Sequence, residues 1–214
     1  MPRILEKKER ALGEKLFLKG ERCAGAKCVM VRRNYPPGAH GKRKRRASSE
    51  FGTLLREKQK VRFLYGVDDA TVRRYSKEAA FAKGVFSSNF WRILESRLDN
   101  VVFRLGFSVS RRAAQQAINH GHVLVNGKTV TISSFRVKAG DVITLKERTL
   151  RFGLFQDLGS RLAKQQTPQW LEVDPEKKAG KIAGVPDVED LETMFDATKI
   201  KEFVDKRNDL FARI

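Results

Sequence analysis

The most informative stretch of the chain is residues 97–141, RLDNVVFRLGFSVSRRAAQQAINHGHVLVNGKTVTISSFRVKAGD. From Glu95 a helical run is closed by Gly106. Ser110 is placed to cap a second helix, RRAAQQAINH, which Gly121 ends as a residue free to take a positive φ. Ala114, Ala117 and Ile118 share its apolar face. HVLVNGKTV then alternates as a strand, and Asn126-Gly127 is the preferred dipeptide for a two-residue hairpin turn. A further turn at Ala139-Gly140-Asp141 leads into the strand VITL. The expectation is a compact helix–turn–helix–hairpin–strand unit over residues 95–150.

Upstream, Ser48 or Ser49 caps a helix through FGTLLREKQKVRFLY, residues 51–65, which ends at Gly66. Phe51, Leu54, Leu55, Val61 and Tyr65 share one face at helical spacing. Arg56 and Lys60 lie opposite. Lys58 and Arg62 fall on the apolar side, so either their stems snorkel or the helix meets a polyanion on more than one side. Residues 69–83 and 88–105 also read as helices. Residues 1–50 lack sustained periodicity, and Pro36, Pro37, Gly38 and Gly41 break any helix there. The run Lys42, Arg43, Lys44, Arg45, Arg46 repels itself and reads as an extended arm that orders on RNA. Downstream, Trp170, Leu171 and Val173 look like an anchor docking on a core. Residues 174–187 read as loop, and the last 27 residues as a slightly acidic helix. The fold class is therefore α+β. A basic N-terminal arm (1–47) precedes a helical domain (48–94) and the small mixed module (95–150). The segment 151–214 is expected to return to the helical domain.

The 214 residues carry 44 Lys and Arg against 25 Asp and Glu, a net charge of +19. The first 60 residues hold 18 of these cations and only 6 acids. A solvated surface mixes signs, so this one-sided stretch points to a polyanion, and nucleic acid is the leading partner. No run approaches the ~18 apolar residues that a membrane helix needs. With two cysteines there is no disulfide framework, and nothing N-terminal resembles a secretory segment, which implies an intracellular, reduced protein.

Arg111 and Arg112 open the second helix of the module, where cations oppose the helix dipole. An exposed pair tolerates this at a cost of a few tenths of a kcal/mol. The conflict disappears if an RNA phosphate sits there, facing free N–H groups and both guanidiniums. Cys23 and Cys28 have a spacing compatible with zinc, and His40 is near enough to add a third ligand. A structural zinc site needs four ligands, so the reading is free thiols and no metal. His120 and His122 flank a helix–strand corner, facing RNA or packing. No phosphate loop or catalytic constellation is present, and no cofactor is implied. Arg97-Leu98-Asp99 matches the tripeptide around the catalytic aspartate of pseudouridine synthases. It lies inside the module's own first helix, however, with too little chain after it for a catalytic domain, so Asp99 reads as structural.

Residues 97–141 closely resemble the RNA-binding module of small-subunit ribosomal protein four. NYPPGAHGKRKRR resembles that family's basic N-terminal loop, LREKQKVRFLYGV its first long helix, and WLEVD its return segment. The module alone is shared with heat-shock, synthetase and pseudouridylating proteins, whereas the combination is specific. The resemblance implies a structural protein of the small ribosomal subunit in the cytoplasm, not an enzyme. Its implied partners are small-subunit ribosomal RNA, messenger RNA at the entrance tunnel, and neighbouring small-subunit proteins, with no membrane. It implies nucleation of 5′-domain assembly. The RNA-facing residues implied are Lys42, Arg43, Lys44, Arg45, Arg46, Arg56, Lys58, Lys60, Arg62, Arg111 and Arg112. Some members bind zinc through four cysteines. Here the first pair is missing, so no metal is expected. The last ten residues, DKRNDLFARI, run past the family's usual end, with no role implied. The alternatives are an RNA-modifying enzyme and an RNA-binding stress factor built on the same module. Stoichiometric sedimentation with salt-washed small subunits separates them from the ribosomal reading.

Overall fold

A computed structural model describes residues 4–43, 47–186 and 195–212. Lys44, Arg45 and Arg46 lie outside them. The chain divides into two compact units. Among the described residues, one comprises 4–43, 47–90 and 195–212, and the other 91–186.

In the first unit the arm is not featureless. It carries α1 (Ile4–Leu12), α2 (Glu21–Ala24) and α3 (Val29–Arg32). Leu12, Leu16, Leu18, Cys23 and Cys28 are buried, and the Glu9 carboxylate accepts from the backbone N–H groups of Leu16 and Leu18 at 3.1 and 3.2 Å. This small core lies in short pieces whose periodicity no window of a dozen residues reveals. Next comes α4 (Glu50–Tyr65). The Ser49 hydroxyl accepts from Gly52 N–H, and Gly66 closes the helix at φ 64°, both as the sequence indicates. The helix α5 (Asp69–Phe81) is capped by Asp68, which accepts from Thr71 N–H.

The helix expected over 88–105 is two helices, α6 (Phe86–Glu95) and α7 (Leu98–Arg104). Arg97 is extended between them (φ −70°, ψ 136°). There the backbone leaves the helical ladder and pairs with a distant segment. Leu98 N–H donates to Phe135 O at 2.8 Å, and Val137 N–H donates to Ser96 O at 2.9 Å.

The second unit contains α7, α8 (Arg111–Asn119) and a five-stranded antiparallel sheet. Ser110 caps α8 by accepting from Ala113 N–H. The strands are β1 (Val123–Val125), β2 (Lys128–Thr129), β3 (Val142–Leu145), β4 (Leu171–Asp174) and β5 (Ala179–Ile182), in the order β2-β1-β3-β5-β4. The β1–β2 turn has φ 49° at Asn126 and 76° at Gly127, the two positive angles of a type I′ turn. The Asn126 amide also accepts from Val142 N–H and donates to Asp141, tying the hairpin to β3.

Two expectations need correction. Residues 151–186 do not return to the helical domain. They continue the second unit with two 3₁₀ turns, the helix α9 (Leu158–Lys164), and β4 and β5. Residues 174–187 were expected to be loop, yet β5 lies among them. The physical reason is the free edge of β3, which β5 covers by pairing Ile143 with Gly180. Phe155, Leu158, Leu162, Trp170, Leu171 and Ile182 complete the core with Leu98, Phe107, Ile118 and Ile143. Among the described residues of this segment, those that pack on the helical domain are Phe195 and the helix α10 (Ala197–Ala212). There Phe203 and Val204 meet Leu54, and the Phe195 ring stands edge-on to Tyr65 and Phe90. Within the described residues, 205–212 of the C-terminal extension lie in α10, where Lys206 pairs with Glu50 and Glu202. Among the described residues, no helix is long and apolar enough to cross a membrane.

Candidate nucleic-acid interface

Cation-rich segments occur in both units. In the arm, Lys42 and Arg43 are exposed in the turn-rich stretch after Pro36 and Pro37. A recess of about 360 Å³ is lined by Lys7, Arg10, Arg22, Arg32 and Arg33, with Glu6 the one acid among its lining residues. Arg10 donates to the carbonyls of Tyr35 and Pro36 and lies over the Tyr35 ring. These five cations were missed because they are spread over three short helices and the residue that follows the last of them, so no linear run marks them.

On α4 the expected cations divide. Arg56 is partly exposed. Lys58 and Lys60 are buried, which corrects their assignment to an RNA-facing surface. Lys58 Nζ sits 3.1 Å from Asp69 and over the Phe203 ring. Lys60 Nζ sits 2.7 Å from both Glu57 and Glu14. Burial alone would depress the Lys60 ammonium, but the hydrogen bonds to Glu14 and Glu57 outweigh it and hold its pKa above the usual lysine value. These two charges are neutralised within the chain because α4 is covered on several sides by the arm, α5 and α10. Arg62 lies 3.6 Å from the same Asp69 and remains partly exposed.

In the second unit Arg111 and Arg112 occupy the first turn of α8, with Arg112 exposed. Beneath that turn lies a buried polar layer. Arg97 pairs with Asp99 at 2.6 Å, and Asp99 accepts from Gln115 at 2.8 Å and from its neighbour's N–H, Asn100, at 2.8 Å. Asp99 is thus fully engaged in joining α7 to α8, which is a structural role and not that of a catalytic aspartate. At the other end of α8, Thr149 Oγ1 and His122 Nδ1 are 3.2 Å apart, and the His122 ring lies against Phe152 and Phe155. Burial, with His120, Arg148 and Lys146 nearby, pulls its pKa below the usual imidazole value.

Cys23 and Cys28 are both buried, and burial pushes the Cys23 thiol up, as in a small apolar side chain. Among the described residues no group of three or more His, Cys, Asp or Glu is placed to hold a metal, and His40 is exposed. The donor set does not fit a four-ligand zinc centre.

Comparison with known proteins divides the chain near the same place. Residues 5–95 match the family model described as the ribosomal protein S4/S9 N-terminal domain, and residues 96–143 match that of the S4 domain. Curated relatives include small ribosomal subunit protein uS4 of Acetivibrio thermocellus, 47% identical over 91% of this chain and 93% of that protein. The uS4 protein of Thermus thermophilus is 45% identical, over 89% and 91%. That of Caldicellulosiruptor bescii is 48% identical, over 84% and 86%.

Proposed function

The chain belongs to the small ribosomal subunit protein uS4 family, and from that membership we propose that it nucleates assembly of the subunit's 5′ domain by gripping folded ribosomal RNA, while its basic loop contacts messenger RNA at the entrance tunnel. Members of this family are structural, RNA-binding components of the small ribosomal subunit and not enzymes.

One observation supports the finer reading above the rest: Arg111 and Arg112 stand on a capped helix whose base is locked by a buried polar layer. A rigid pair of guanidiniums at a helix N-terminus suits a phosphate in a fixed position, as on folded RNA. Lys42 to Arg46 follow a Pro/Gly-broken stretch and suit adaptable, mainly electrostatic contacts with a passing strand. Arg56 and Arg62 are proposed to add phosphate contacts from α4, and neighbouring subunit proteins are proposed as further partners.

The test uses two variants in two assays. Replacing Arg111 and Arg112 with Ala is expected to weaken binding to 5′-domain RNA by more than about tenfold, at roughly 1.5–3 kcal/mol per charge-assisted contact. Replacing Arg43, Lys44 and Arg45 with Ala is expected to leave that binding largely intact and to slow translation through structured messenger. A loop variant that fails to bind 5′-domain RNA, beside a module variant that binds normally, would overturn this division.

A further inference from the structure

Asn100 is fully buried, and so is Glu95. The Asn100 amide bridges two partners of opposite need. Its Nδ2 donates to Glu95 Oε2 at 2.5 Å, and its Oδ1 accepts from Arg111 Nε at 2.7 Å. Arg104 backs the same carboxylate, with its Nε 3.2 Å from Glu95 Oε2. The Arg111 guanidinium also lies over the Phe103 ring, 4.7 Å from its centroid. A flipped amide would turn Oδ1 onto the Glu95 carboxylate and its N–H₂ onto a guanidinium, so both contacts specify one orientation.

We infer that Asn100 is a positioning residue for RNA binding: oriented by Glu95, it holds Arg111 by the Nε edge, with Phe103 supporting the face of the guanidinium, so that its Nη end meets an RNA phosphate in a preset geometry. This rests on the reading of Arg111 as an RNA contact. The chemistry restricts the residue type. Aspartate would set a second carboxylate against buried Glu95, and an apolar side chain would supply neither the acceptor nor the donor. A long, flexible arginine loses rotamer freedom when it binds a phosphate. Here α7 and its buried amide impose that order before RNA arrives. Asp99 and Gln115 make a second tie one turn along α8, so the rotation of the helix and the direction of the side chain are set independently.

The experiment is a double-mutant cycle on the full chain with 5′-domain ribosomal RNA as probe. Asn100→Ala and Arg111→Ala are each expected to weaken binding by roughly tenfold. In the Arg111→Ala background, Asn100→Ala is expected to change affinity by less than about twofold, because its effect runs through the missing guanidinium. Multiplicative losses in the double variant overturn the inference and leave the RNA reading of Arg111 standing. An Arg111→Ala variant that binds normally overturns that reading, and this inference with it. Should Asn100→Ala fail to fold, Arg111→Lys decides. It keeps the charge but lacks Nε and the planar group over Phe103, and it is expected to bind about as weakly as Arg111→Ala. Affinity equal to that of the unmodified chain would show that charge alone suffices and overturn the inference.

Discussion

Lys60 places its ammonium 2.7 Å from the Glu57 carboxylate one turn earlier on α4, with both side chains buried. Glu14 from the arm closes on the same ammonium, and the other Glu57 oxygen accepts from Asp196 N–H at the start of α10. This pair therefore joins three separate stretches of the helical unit. Lys60→Ala leaves the buried Glu57 carboxylate without its cation and is expected to cost about 3 kcal/mol of stability, read as a lower denaturation midpoint. The folded pKa of Lys60 is raised, so its contribution is complete below the unfolded value of 10.5 and is lost as pH climbs through the folded value. Lys60→Met should remove this part of the alkaline loss. A Lys60→Ala protein of unchanged stability would refute the assignment.

Glu9 carries the arm's turn. Its Oε1 accepts from two buried backbone N–H groups, Leu16 and Leu18. Glu9→Ala leaves both unsatisfied at about 1–3 kcal/mol for a buried group so exposed to loss. Hydrogen exchange at those two amides should accelerate in the variant while the amides of β3 are unaffected.

Gly180 admits no side chain. A Cβ built there falls 2.5 Å from Leu105, which is itself fully buried. Gly180→Ala is expected to destabilise the module by about 1–3 kcal/mol through overpacking. In a Leu105→Ala background the same substitution is expected to cost less, because the clash is relieved, and thermal melts of the single and double variants would measure that coupling.

His122 makes the module sensitive to mild acid. Burial lowers its pKa below 6.5, so the unfolded chain takes up a proton first as pH falls. Its contribution to stability is present above pH 6.5 and declines below it. The melting temperature should fall more between pH 7.5 and 5.5 in the unmodified chain than in His122→Gln. Equal declines would remove His122 as the source.

The net charge implies a steep salt dependence. If the arm and module neutralise about 8 phosphates, log affinity should fall with log salt at a slope of about −6 to −7. A slope near −1 would mean that the cations are mostly solvated.

Local signals were enough for elements whose caps and turns lie within a few residues. Ser49 and Gly66 bracket α4, Ser110 opens α8, and Asn126-Gly127 folds the β1–β2 hairpin, each because one side chain or one backbone angle acts on its near neighbours. The charge asymmetry, and the resemblance of residues 97–141 to a known RNA-binding module, likewise carried the RNA-binding reading from the sequence alone. Pairings between distant stretches were not legible. The break at Arg97 depends on backbone bonds to residues 133–137. The place of β4 and β5 depends on an open strand edge about 40 residues earlier. The fates of Lys58 and Lys60 depend on acids from another helix and from the arm. A lysine on a helix face has the same local signature whether water, a phosphate or a buried carboxylate meets it, and only the packing of the chain on itself distinguishes the three.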